Sequence, residues 1–315
     1  MMTSILVAIA AGATSALMFA SLISGSLIAI VLAYLAPLPL LVAALGWGPF
    51  AAALGGIIAT TVLGVIAGVT NTIFFAVWAA LPAWWLGHLI LLGRPTGADE
   101  TAGGGSGQAI EWYPMGRVLL WIVATAGLIA IGWLLSLGTD ADSIKTALRE
   151  TYAPLGDGPR GRPGLPDALA VAGPPVITFV TTILLTLNVW LAGKIAHTSG
   201  RLRRPWPNLK STALPPMTLA ALSAATAFSF TGGLLAMIAQ IASAGIMTAY
   251  AIIGLATVHT LSLALKTRML WLGLAYLTLP FVWPMIILSF LGLADAVFGF
   301  RQRFMQRHRP AVPTT

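Results

Sequence analysis

For its first 93 residues the chain carries no Asp, Glu, Lys or Arg. Polar punctuation alone divides this stretch: Ser24-Gly25-Ser26, then Gly46-Trp47-Gly48-Pro49, then the neighbourhood of Asn71. The pattern predicts helices over 4–23, 26–46, 49–69 and 72–93. Each is about 20 residues long, the length that crosses roughly 30 Å of hydrocarbon. Residues 94–114 interrupt the apolar pattern with Gly103-Gly104-Gly105-Ser106-Gly107 and read as a flexible connector. A fifth helix is predicted over 116–137 and a sixth over 168–194. Between them lies the longest polar loop, 138–166, in which Ile144, Leu148, Tyr152 and Leu155 recur at helical spacing behind Thr139 or Asp140 as a cap. That spacing fits a short helix on the membrane face; a solvated loop with a chance apolar stripe fits equally.

The last third contains apolar runs over 213–231, 233–262 and 269–292. Its direction is set by charge. Lys194, Arg201, Arg203, Arg204 and Lys210 form a basic loop after the sixth helix, and Arg301, Arg303, Arg307 and Arg309 form a basic tail. Lys and Arg stay on the cytoplasmic side, so both clusters are expected there, which requires that only two of the three runs cross. On this reading 213–231, opened by Pro215-Pro216 and closed by Gly232-Gly233, is short, tilted or re-entrant. The expectation is an all-α, polytopic transmembrane helical bundle of about eight crossings with both termini cytoplasmic. It forms one integral membrane domain: an uncharged half (1–93), the linker (94–114), a second helical half (115–294) and the tail (295–315). Met1-Met2-Thr3-Ser4 lacks the charged start of a cleaved signal peptide, so the first helix is expected to be retained.

Composition supports lipid as the solvent. The 315 residues are 58% hydrophobic and 8% charged, with mean hydropathy +0.90, against about 25% charged residues in soluble domains. The net charge of +8 sits at helix ends and in the tail, where topology and anionic lipid call for it, and gives no reason to expect nucleic acid. Cysteine is absent, which excludes disulfides and thiolate metal sites.

Few residues offer chemistry. Ala8, Gly12, Ala16 and Ala20 fall four apart on one face of the first helix, and Ala52, Gly56, Thr60, Gly64 and Gly68 do so on the third. Small faces let backbones approach closely, either within the bundle or against a partner helix. Pro37 and Pro39 cannot donate the hydrogen bonds of a continuous helix, so the second helix should break or begin there, as a plain loop or with carbonyls free for a ligand. The polar groups within the apolar runs are Asn71, His88, Asn188, Gln240 and His259. Asn188 and Gln240 are the best placed to meet a solute, because an amide both donates and accepts, with Trp190 beside them. The P-loop, the zinc-protease helix and the serine-hydrolase elbow are all missing, and four scattered histidines make no metal constellation. The chain is therefore not expected to be an enzyme or to hold a cofactor. Asp295 closes the last helix, where a negative charge opposes the helix dipole and wants a basic partner such as Arg301 or the Arg201–Arg204 loop.

Pro37-Leu38-Pro39-Leu40, Gly46-Trp47-Gly48, Asn188-Val189-Trp190-Leu191-Ala192, Gly200-Arg201-Leu202-Arg203-Arg204-Pro205-Trp206-Pro207 and Gly292-Leu293-Ala294-Asp295 together resemble an uncharacterised bacterial inner-membrane family, a domain of unknown function. More remotely the chain is similar to the S-components of energy-coupling-factor transporters. The shared features are the Pro-x-Pro segment before a short helix, the Gly48-Pro49 turn, and the Ala8–Ala20 face, which matches the motif by which those subunits dock on their transmembrane partner. The resemblance implies a bacterial inner-membrane location and capture of a small molecule of unknown identity. It also implies a transmembrane coupling subunit with ATPases. This chain carries about two helices more than that family. The alternative function is a non-transporting scaffold for cell-envelope or division machinery, working through the basic loops.

Overall fold

A computed structural model describes residues 2–95, 110–156, 164–278 and 282–307. Within them the protein is almost wholly helical, and it divides into two compact units, Met1–Ile122 with Ile183–Pro207, and Val123–Thr182 with Asn208–Thr315. Long apolar helices with many lipid-sized side chains on their outer faces make it a multi-pass integral membrane protein.

In the first unit, α1 (Met2–Ala20) and α2 (Leu27–Tyr34) are joined by a short 3₁₀ turn. α3 (Pro37–Trp47) starts on Pro37, as the missing proline N–H groups require, so the second predicted helix is made of two pieces joined at Leu35-Ala36. Gly48, at φ 106° and ψ 163°, turns the chain into α4 (Pro49–Phe75) with Pro49 at its first position. α4 leads through a π-helical turn over Ala76–Ala80 into α5 (Leu81–Ile90).

From Pro49 to Ile90 the helical path runs 42 residues, which if straight would span about 60 Å, twice the hydrocarbon thickness. It is not straight. Gly68 takes φ 82° and ψ 170°, outside the helical region and accessible at low cost only to glycine. A Cβ placed on Gly64 would meet Thr72 Oγ1 at 3.3 Å, and one on Gly56 would meet the Ala80 Cβ at 3.2 Å. These pairs lie symmetrically about residue 68, so the chain folds back there as a tight helical hairpin. By length and apolarity six segments qualify as crossings among the described residues, seven with the bent pair near the carboxyl end; the fold at Gly68 makes one of the six into two.

The small face of α1 is filled by α4. Ala8, Gly12 and Ala16 are buried, a Cβ on Gly12 would strike the Gly55 carbonyl, and one on Gly55 would lie 2.8 Å from the Ala8 carbonyl. The face therefore packs inside the bundle instead of waiting for a partner helix, because bare backbone against bare backbone gains dispersion that lipid chains do not match. Only Ala20, at the helix end, is part-exposed.

The linker is not wholly without structure. β1 (Gly93–Pro95) and β2 (Ile110–Trp112) pair antiparallel, with Arg94 opposite Glu111 and 2.6 Å from its carboxylate. Gly103–Gly107 lies outside the described residues.

α6 (Met115–Leu137) and α8 (Leu165–Thr198) each contribute one part to either unit. In the second unit the 138–166 segment contains α7 (Ala141–Tyr152), so the capped-helix reading holds. Asp140 Oδ1 accepts from the Asp142 and Ser143 backbone N–H groups at 3.1 and 2.9 Å, and Ile144 and Leu148 are buried with Leu134, Ala170 and Ile241. α9 (Met217–Phe228) has 12 residues, about 18 Å of helix, too short to cross. α10 (Gly233–Leu261) is the unit's axis. α11 (Arg268–Thr278) and α12 (Val282–Phe298) follow, so the run expected over 269–292 is two helices. α10 and α12 meet backbone to backbone: a Cβ on Gly254 would collide with the Leu288 carbonyl, and one on Gly292 with that of Tyr250. Gly299, at φ 65°, ends α12, and α13 (Phe300–Arg307) leaves at 65°.

Candidate functional site

The proline break between α2 and α3 rearranges the backbone acceptors: the Ala33 and Leu35 carbonyls, which lose the Pro37 and Pro39 donors, take the Ala36 and Leu38 N–H groups, and side chains reach the Tyr34 and Ala36 carbonyls. Leu38 N–H turns to the Leu35 carbonyl at 2.9 Å, leaving the Tyr34 carbonyl without its i+4 donor. Asn188, on α8 and fully buried, donates from Nδ2 to the Tyr34 carbonyl at 3.0 Å and to the Leu184 carbonyl of its own helix at 2.8 Å. Ser15, buried on α1, donates its hydroxyl to the Ala36 carbonyl at 2.5 Å. Both Nδ2 protons of Asn188 are thereby used, while its Oδ1, also buried, has no protein partner. The result is a polar point inside the first unit, where Asn188 reaches the α2–α3 break through the Tyr34 carbonyl and one acceptor is unmet.

The other expected contact residues are elsewhere. Trp190 is 46% exposed while Asn188 is 0%; two residues at about 100° each put them on opposite sides of α8. Gln240 belongs to the second unit, half-buried, with Nε2 3.5 Å from the Ser229 carbonyl at the end of α9. Ser15 and the Tyr34 carbonyl were not expected as site members. Ser15 carried a signal, being a hydroxyl set into the otherwise apolar buried face of α1.

The basic loop is bound to helix ends. Arg203 N–H donates to the Leu45 carbonyl at 3.3 Å, and its Nε to the Gly46 carbonyl at 3.2 Å. Arg204 Nη1 donates to the Ile90 carbonyl at 2.9 Å and to the Tyr113 carbonyl at 3.4 Å. The Leu45, Gly46 and Ile90 carbonyls close α3 and α5, where a cation meets both unmatched acceptors and the negative helix end. Three cations of the loop also have a ring beneath them: Arg201 over Trp47, Arg204 over Trp112 and Lys194 over Trp206, at 5.7, 5.5 and 5.5 Å. Desolvation lowers the Arg204 guanidinium below its ordinary value, yet arginine stays charged at any physiological pH. Lys210 belongs to the second unit, where its carbonyl accepts from Arg301 Nη1 at 2.9 Å.

Asp295 found the nearer of its expected partners. Its Oδ2 accepts from Arg301 Nε at 2.6 Å and its Oδ1 from the Arg301 backbone N–H at 2.9 Å, with both side chains buried. On α10, His259 Nδ1 lies 2.9 Å from the Leu255 carbonyl and Nε2 lies 3.1 Å from the Tyr276 hydroxyl.

Two open hollows lie at polar ends of the units. One, of about 320 Å³, is lined by Pro49, His88, Leu91, Leu92, Trp112 and Arg203 in the first unit. The other, of about 490 Å³, is lined by Leu261, Phe300, Arg303, Phe304 and Arg307 in the second. Neither includes Asn188, Trp190 or Gln240. Among the described residues no three His, Asp or Glu side chains converge as metal ligands would.

No family model, curated protein or solved structure matches the chain.

Proposed function

We propose that this integral membrane protein is a transport-related subunit of the bacterial cytoplasmic membrane, handling a small solute without an ATPase of its own. One observation carries the reading: at the α2–α3 break a fully buried amide offers an acceptor, Asn188 Oδ1, that no protein group satisfies. An unmet buried acceptor costs about 1–3 kcal/mol, and interrupted helices are where transporters keep their contact groups. The matching solute bears an N–H or O–H donor and little charge, since α1, α2 and α3 carry no carboxylate or cation and the Asp167 and Lys194 of α8 lie toward its two ends. Under the positive-inside rule the Arg201–Arg204 loop and the 295–315 tail face the cytoplasm.

The kinship with S-components sits less easily with this arrangement. Their docking face corresponds to Ala8–Ala20, and here α4 occupies most of it. A coupling subunit with ATPases would have to engage another surface. The scaffold reading leans on the basic loop, whose Arg203 and Arg204 are already engaged with carbonyls of their own chain.

The test is thermal unfolding of the detergent-purified protein against a panel of neutral amide-, amine- and hydroxyl-bearing solutes. A solute that raises the melting temperature of the natural protein and not of Asn188→Leu supports the proposal. Solute-induced shifts that are equal in the two proteins, or absent from both, across the panel overturn it. Co-purification from the native membrane with an ATPase pair, or with cell-wall proteins, separates the transport reading from the scaffold.

A further inference from the structure

The hollow at the end of α5 is a different kind of place from the buried amide. Arg203 stands at its edge, held at two points by the Leu45 and Gly46 carbonyls through its backbone N–H and Nε. Those bonds fix the guanidinium while its two terminal nitrogens have no acceptor among the described residues, and the side chain is exposed. Gly48 makes the placement possible, since a Cβ there would come within 2.9 Å of Arg203 Nη1.

Two further features of the lining favour negative charge. Pro49 opens α4, so the hollow meets the positive end of that helix, although Pro49 has no N–H and the Ala51 N–H is taken by the Gly48 carbonyl at 3.0 Å. His88 adds a ring nitrogen, and Trp112 adds an amphipathic wall of the kind found at headgroup depth. No carboxylate is among the lining residues, and the nearby Glu111 is paired with Arg94 at 2.6 Å. Leu91 and Leu92 complete the lining with apolar surface. The volume, about 320 Å³, lies at the small end of the roughly 300–1,000 Å³ typical of ligand sites.

We propose that this hollow, formed by Arg203, His88, Trp112 and the start of α4, is a binding site for a phosphate-bearing anion, the headgroup of an anionic phospholipid or free phosphate. A preset guanidinium fork and a helix amino end recognise phosphate oxygens together. The apolar wall accommodates the glycerol and first acyl carbons when the phosphate belongs to a lipid.

The experiment uses the full-length purified protein in detergent, with bound lipid read by native mass spectrometry at graded additions of phosphatidylglycerol or phosphatidylcholine, and inorganic phosphate as competitor. The natural protein is expected to retain phosphatidylglycerol in preference to phosphatidylcholine. Arg203→Gln should weaken that retention about tenfold, the order expected for a lost charge-assisted pair. Arg117→Gln, an exposed arginine outside the hollow, should leave it unchanged. Lipid retention that inorganic phosphate does not compete away assigns the lipid; phosphate binding lost in Arg203→Gln, without lipid preference, assigns the free anion; both support the site. Because Arg203 also caps α3, His88→Ala with Arg203 intact provides a second variant and should weaken retention several-fold. Equal losses in Arg203→Gln and Arg117→Gln would show general surface charge and overturn the proposal. So would unchanged binding in both hollow variants.

Discussion

At the scale of single residues, the polar side chains inside this protein work on backbone carbonyls more than on each other. Asn188 meets the Tyr34 carbonyl and Ser15 the Ala36 carbonyl at the α2–α3 break, and Arg203 and Arg204 meet acceptors left over where α3 and α5 end. Asn188→Ala removes the side-chain donor to the Tyr34 carbonyl. It should destabilise the protein by about 1 kcal/mol, near the value for interhelical hydrogen bonds in membranes, measured by equilibrium unfolding in mixed micelles. Asp295 and Arg301 give a sharper case. Breaking a buried pair from one side leaves a bare charge, so Asp295→Asn or Arg301→Gln alone should cost about 3–5 kcal/mol, while the double change Asp295→Leu with Arg301→Met should cost less than either. The partner of Asp295 was legible in sequence because a carboxylate at a helix carboxyl end needs a cation nearby. The unmet Oδ1 of Asn188 was not, because the Tyr34 carbonyl that takes its amide is 154 positions away.

Helices show a different balance. Hydrophobic length placed most of them to within a few residues, since lipid thickness sets that length. What the same pattern could not distinguish was the purpose of a small-residue face. Ala8, Gly12 and Ala16 look alike whether the backbone opposite belongs to this chain or another, and only the fold shows Gly55 there. Gly68 read as one more member of a stripe on the third helix; its left-handed backbone, which makes the hairpin, has no signature among so many glycines. Gly12→Val should therefore drive α1 off α4, costing about 1–3 kcal/mol or more as overpacking against immovable backbone, seen as a lowered melting temperature. α7 carries a pH prediction. Hydrogen bonds from Ser143, its backbone N–H first and then its hydroxyl, hold the Asp140 carboxyl below the ordinary value. A depressed folded value adds stability above the unfolded value of about 3.9, and that contribution disappears as pH falls through the folded value. Once corrected for the intrinsic pH dependence of exchange, the protection of the α7 amides should thus hold steady between neutrality and about pH 4, then fall below it, whereas Asp140→Ala should be less protected throughout that range.

For the whole molecule, composition alone identified the solvent, and the helical architecture follows from it. Direction across the membrane rests on the arginines. Since the chain has no cysteine, single replacements report on it cleanly. Ser199→Cys and Arg307→Cys should both resist a membrane-impermeant maleimide in intact cells and react once the membrane is opened. Reaction of one alone in intact cells would place the loop and the tail on opposite faces and reverse the proposed orientation.

The stitch between Arg204 and Ile90 closes a separation of 114 positions, and it has a consequence in time. A ribosome completes the first four crossings, none of which bears a charge, well before it reaches the residues that fasten their ends. During that interval the carbonyls of Gly46 and Ile90 await their guanidinium donors, so the amino-terminal hairpins reach final form only after α8 has been threaded. A nascent chain halted before residue 200 should accordingly be a favoured target for membrane proteases.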